Sequence, residues 1–140
     1  MPNSREIDNA LAAKLGSDAT LRALMPNGVF WDVAPVDCTQ VVILSFVDEK
    51  DEHEHQKRAI EDTVYEVKVI ERSTVTTSNI DAACGRIDEL LDGGTLTAPG
   101  YTLMVMYRER RRRSTVRDEA SLEIRWFEEA AQYRVMMSVD

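Results

Sequence analysis

TVYEVKVIERSTVTTSNIDAACGRIDELLDGG, residues 63 to 94, changes its hydrophobic period partway along. Tyr65, Val67 and Val69 alternate with Glu66 and Lys68, the period-two pattern of a strand with one face buried in an antiparallel sheet. From Ile80 the spacing becomes helical. Ile80, Cys84, Ile87 and Leu91 fall on one stripe, with Ala83 beside them. Ser78 with Asp81 makes a capping-box-like start, and Ser73 or Thr74 offers an earlier one. Gly93-Gly94 ends the helix. GYTLMVMYRE, residues 100 to 109, then reads as another strand. Counted by twos, Tyr101, Leu103, Val105 and Tyr107 share one face, and Met104 and Met106 the other.

Upstream, SREIDNALAAKLG places Ile7, Leu11 and Leu15 on one helical stripe, with Ser4 as the expected N-cap and Gly16 at the end. A short helical turn follows, capped by Ser17 or Asp18, with Leu21 and Leu24 inward. After the turn at Pro26-Asn27-Gly28, GVFWDVAP reads as a short strand stopped by Pro35. QVVILSFVDE reads as a stronger strand whose unbroken apolar run implies that both faces are covered or that one meets a partner. Residues 48 to 62 hold seven acids and three bases, so they form a solvated loop or an exposed pair of strand ends. Two shorter strands, SLEIRWFE and QYRVMMSV, close the chain. The order is helix, short helix, three strands, helix, three strands. That order predicts an α+β fold, a mainly antiparallel sheet with two helices packed on one face, in a single domain over 1–140.

The net charge is −8, unevenly distributed. YRERRRRSTVR, residues 107 to 117, holds six of the thirteen arginines: Arg108, Arg110, Arg111, Arg112, Arg113 and Arg117. Against one glutamate they give this stretch +5, which takes the rest of the chain to −13. Lying between two expected strands, it reads as a basic hairpin loop at 108–118. Three readings compete: a contact with an acidic protein surface, a solvated loop, and a nucleic-acid patch. Single-strand binders interleave aromatics with their basic residues, and none stands between Tyr107 and Trp126. The acidic remainder repels DNA. The reading preferred is a partner or subunit contact, with Arg108, Arg110, Arg111, Arg112, Arg113 and Arg117 meeting acids such as Asp48, Glu49, Asp51 and Glu52 of a neighbouring copy. Met104 and Met106 are expected on an exposed or interfacial sheet face.

Catalytic patterns are missing. His53 and His55, the two histidines, share a face of an extended segment, but a catalytic zinc needs a third ligand that the sequence does not supply. Cys38 and Cys84 fit neither a disulfide framework nor a zinc site and are read as reduced. The glycines at 93 and 94 end a helix rather than cradle a phosphate. Neither an enzyme nor a cofactor or metal is expected. The polar N-terminus lacks a secretion signal, and the apolar run at 41–47 is too short for a membrane helix.

Several short motifs occur in an order that resembles a known family. Asp18, Leu21 and Leu24 form a D-x-x-L-x-x-L turn; Gly28, Val29 and Phe30 open a strand; Val33, Ala34 and Pro35 follow, then the apolar strand. YEVKVIERSTVTTSNIDAACGRIDELLDG supplies a strand and a helix ending in Leu-Asp-Gly, and Tyr133-Arg134-Val135 lies in a closing strand. This order resembles the tail terminator or tail completion proteins of long-tailed bacteriophages and phage-like particles. Two departures stand out: Cys38-Thr39-Gln40 precedes the second strand where the family often has Leu-Pro-Tyr, and 108–123 is longer and more basic. The resemblance implies a virion component made in the host cytoplasm. It implies a homohexameric ring that caps the head-proximal end of the tail tube, stops its polymerisation and offers a surface for head-tail joining. Its implied partners are the major tail tube protein and the head-completion or neck proteins, with DNA only as cargo in the lumen and no membrane. The alternatives are a head-closure or neck connector, and a small DNA-binding module using the arginines from Arg108 to Arg117.

Overall fold

The computed structural model describes residues 2–73, 78–117 and 125–140. Helix α1 (Arg5–Gly16) buries Ile7, Leu11 and Leu15, the stripe that the spacing predicts. Ser4 does not cap it. Its side chain instead donates to Glu61 on the sheet. Helix α2 (Ala19–Leu24) is capped by Asp18, whose carboxylate accepts from the Leu21 amide at 2.9 Å. Helix α3 (Ser78–Leu91) buries Ile80, Ala83, Ile87 and Leu91. Gly93, at φ 71°, reverses the chain after it, a conformation that glycine adopts without strain. No helix of the described residues is long and apolar enough to span a membrane.

Strands β1 (Val29–Trp31), β2 (Gln40–Glu54), β3 (Lys57–Ser73), β4 (Tyr101–Arg117) and β5 (Arg125–Val139) form one sheet in the order β1-β2-β3-β5-β4. Only β1 runs parallel to its neighbour; every other pairing is antiparallel. The fold is α+β. The helices cover the face that carries Val42, Leu44, Tyr65, Val67, Val69, Tyr133, Val135 and Met137, and these residues build the core. Two buried tyrosines tie helix to sheet: Tyr65 donates to Asp8 of α1 at 2.5 Å, and Tyr133 donates to Asp88 of α3. Burial pushes both phenols well above their ordinary range.

Several expectations need correction. β1 stops at Trp31, four residues before Pro35, because the chain turns at Asp32 with φ 60°. The charged segment 48–62 is a pair of strand ends. β2 and β3 continue to a two-residue turn at His55 and Gln56, with φ 50° and 65°, the left-handed pair of a tight hairpin. The two closing strands are one. β5 runs through Glu128 and Glu129, and residues 121–124 of the first candidate lie outside the described residues. The arginine stretch is no loop. As far as Arg117 it is the second half of β4, paired from Arg110↔Gln132 to Arg117↔Arg125; Asp118 lies outside the described residues.

The counting of faces on β4 also changes. Its register slips at Met104, where the pairing passes from Leu103↔Met137 to Val105↔Met136. A bulge of this kind inverts the side chains that follow, here as far as Arg108, where a second slip at Glu109 restores the alternation. Tyr101, Leu103 and Met106 therefore pack toward the helices, and Val105 and Tyr107 face the other way. Met106 is 1% exposed and belongs to the core, while Met104, on the bulge, is 52% exposed.

Candidate interaction site: the two free edges of the sheet

The strand order leaves two edges without a neighbour. One is β4 beyond Arg108, since nearer its start the Gly93 amide donates to the Met106 carbonyl and the Arg108 amide to Asp92. The other is β2 beyond Leu44, because β1 pairs only with Val42, Ile43 and Leu44. On β4 the free edge follows Arg108 and holds Arg110, Arg111, Arg112 and Arg113; on β2 it holds Asp48, Glu49, Asp51, Glu52 and Glu54. No strand of this chain pairs with the backbone of either stretch, so each can accept another strand. The sequence shows the two charged groups. It does not reveal that both groups stand on strands at opposite edges of one sheet.

Most of the arginines already meet acids of their own chain. Arg108 bonds Asp88 Oδ2 at 2.6 Å, and its amide donates to Asp92 Oδ1 at 2.9 Å, so the end of α3 holds the start of the basic run. Arg112 reaches Glu128 at 3.2 Å and Glu66 at 3.6 Å on the open face. Arg113 and Arg111 lie 3.4 and 3.7 Å from Glu129, a carboxylate 3% exposed on the helix side. Burial and nearby Glu129 push the Cys84 thiol well above its ordinary range. The acids of β5 and α3 thus explain how Arg108, Arg111, Arg112 and Arg113 tolerate a strand. Cross-strand opposite charges stabilise the pairing that like charges alone would break. Arg110 is exposed, opposite Gln132, and pairs with no acid among the described residues. The side chain of Arg117 lies outside the described residues.

On the acidic edge, Asp48 and Glu52 are exposed. Asp51, opposite Glu61, turns inward, as does Glu49, whose Oε1 accepts from the Thr63 hydroxyl at 3.0 Å. Burial raises the Glu49 carboxyl above its ordinary range. Glu49 is thus less free for a partner than its place in the sequence implies.

The open face of the sheet carries both signs. Lys68 lies 3.6 Å from Glu128, and Arg134 joins Asp62 at 2.5 Å and also Glu109. Exposed apolar side chains border the free edges: Phe46 and Val47 on β2, and Met104, Val105 and Tyr107 on β4. His53 and His55 do not share a strand face. The register shifts between Glu52 and His53, and His55 begins the turn. The grouping of three metal-ligating side chains found among the described residues, Glu49, Asp51 and Glu61, contains neither histidine.

Two solved structures share this fold across nearly the whole chain. One is a chain of a structure described as the virion of a native gene transfer agent particle. It is 22% identical and superposes with a TM-score of 0.61, covering 93% of this chain and 94% of that one. The other is 11% identical, with a TM-score of 0.59 and 96% coverage of each chain. No protein-family model and no curated protein matches the sequence.

Proposed function

We propose that this chain is a virion structural protein: a tail terminator that closes into a ring at the head-proximal end of a phage-type tail tube. There it stops polymerisation and presents the surface on which head-completion or neck proteins dock. The observation that carries the reading is the pair of oppositely charged free edges. A ring requires two different complementary surfaces on each subunit, so that each copy gives one edge and receives the other. A basic edge and an acidic edge on one sheet meet that requirement.

The offset between the edges supports a closed ring over a flat ribbon. Glu52 sits level with Ile60 of β3, whereas Arg110, through Gln132, sits level with Glu66. Matching Arg110 of one copy to Glu52 of the next shifts the subunits by six residues, or about 20 Å along the strands. The strands β2, β3, β5 and β4 span about 19 Å across. Their ratio gives a strand tilt of about 45°, at the upper end of the range of closed barrels. In that register β4 and the neighbour's β2 run antiparallel, Arg110 and Glu52 share the open face, and the helices lie on the outside. The family resemblance supplies the count of six copies. The fold shared with a chain of a gene transfer agent virion supports a role inside a particle.

This reading leaves the arginines few free charges for phosphate, which counts against the DNA-binding alternative. It involves no catalytic step. The test is electron microscopy of tail tubes incubated with the purified chain. Rings at one end of each tube, with tubes that no longer elongate, are the expected result. Tubes that continue to grow with bare ends would overturn the assignment.

A further inference from the structure

Beneath the N-terminus of α1, three carboxylates converge on the helix side of the β2–β3 hairpin. Glu49, Asp51 and Glu61 each bring an oxygen within 4.8 Å of those of the other two. An acidic cluster alone says little, but here two buried oxygens lack hydrogen-bond donors. The Glu61 side chain is 0% exposed, and its Oε2 has no hydrogen-bond partner; neither does the buried Oδ1 of Asp51. Leaving such atoms unsatisfied is costly.

The remaining oxygens are already oriented. The Ser4 hydroxyl donates to Glu61 Oε1, and the Thr63 hydroxyl donates to Glu49 Oε1. Each hydroxyl fixes one oxygen of its carboxylate and leaves the other available, the way outer hydrogen bonds aim metal ligands. The nearby cation does not complete the site. Arg58 Nε stands 3.6 Å from Glu61 Oε2 without a hydrogen bond, and its guanidinium is engaged by the Pro2 carbonyl at 3.0 Å. One positive charge faces three negative ones.

We infer that Glu49, Asp51 and Glu61 form a binding site for a hard divalent cation such as calcium. All-oxygen ligation excludes the softer metals. Oxygens on opposite sides of a calcium ion stand up to about 5 Å apart, but only about 4.2 Å apart across magnesium. The three oxygens lie within 4.8 Å of one another, close enough to share one calcium ion. Calcium would staple the hairpin that carries the acidic edge to the start of α1, because Ser4 precedes that helix. The inference stands apart from the ring, and a negative result would leave the ring untouched.

The test is titration calorimetry with calcium chloride on EDTA-treated protein near pH 7.5, paired with thermal unfolding at constant ionic strength. Wild type should bind saturably and gain roughly 4 °C or more in Tm at about 5 mM calcium. Glu61→Gln should bind at least about tenfold more weakly. Because Glu61 is buried, Asp51→Asn serves as the second variant: it lies nearer the surface and should also lose binding while remaining folded. Wild type without saturable binding at about 5 mM, or Asp51→Asn with unchanged affinity, would overturn the site.

Discussion

Asp18 has two roles at the junction of α1 and α2. It caps α2, and its two oxygens receive the Arg86 guanidinium from α3 at 2.7 and 2.9 Å. The hydrogen bonds from Arg86 hold its carboxyl well below the ordinary 3.8, at about 2. The folded state therefore favours the ionised form. The resulting stability is complete above the ordinary carboxylate range and is lost as pH falls from about 4 toward 2. Asp18→Ala should cost on the order of 2 kcal/mol near pH 7, by denaturant unfolding, and the deficit should shrink toward pH 2. A deficit independent of pH would deny the ion pair its part. The tyrosine ties give a second residue-scale expectation. Tyr133→Phe removes the donor to Asp88 inside the core and should cost about 1 kcal/mol by the same measurement. An unchanged stability would mean that Asp88 is held by Arg108 alone.

At the scale of elements, β4 decides most of what differs from the sequence reading. The helical stripes of α1 and α3 and the alternation at Tyr65, Val67 and Val69 were legible because local periodicity reports directly which side is buried. The bulge at Met104 was not, because Leu103 to Tyr107 are all apolar or aromatic and no break in pattern marks the extra residue. The register predicts a clear asymmetry. Met106→Ala should lower stability by about 3 kcal/mol, while Met104→Ala should stay within about 0.5 kcal/mol. Equal costs would contradict the bulge. The strand character of Arg108 to Arg117 was hidden for a different reason. The acids that make it tolerable, Glu128, Glu129 and Asp88, come from β5 and α3, far away in sequence. The unity of β5 was hidden for the same reason, since Glu129, Ala130 and Ala131 read as a gap until the arginines opposite are seen. Of the site, the residue types were legible, but not which charges are already paired: Arg110 and Glu52 stand free at the edges, whereas Arg108, Arg113 and Glu49 are engaged within the chain.

For the whole molecule, the account turns on head-to-tail pairing of the basic and acidic edges. Reversal of the unpaired members separates assembly from folding. Arg110→Glu or Glu52→Lys alone should weaken self-association, by sedimentation velocity, at least about tenfold, with little change in Tm. The two together should restore association, since the swap exchanges signs without removing the pair. Loss in both single variants with no rescue in the double would mean that the edges do not meet. Rising salt should weaken wild-type association, because the charges on both edges are exposed. The most direct test is disulfide trapping. Arg110→Cys and Glu52→Cys are placed together in a chain whose Cys38 and Cys84 are replaced by serine, and the product is oxidised and run on a denaturing gel. The account predicts a covalent ladder that ends at a closed ring from the double variant, and no ladder from either single variant. Monomer alone from the double variant, or the same product from one cysteine alone, would contradict it.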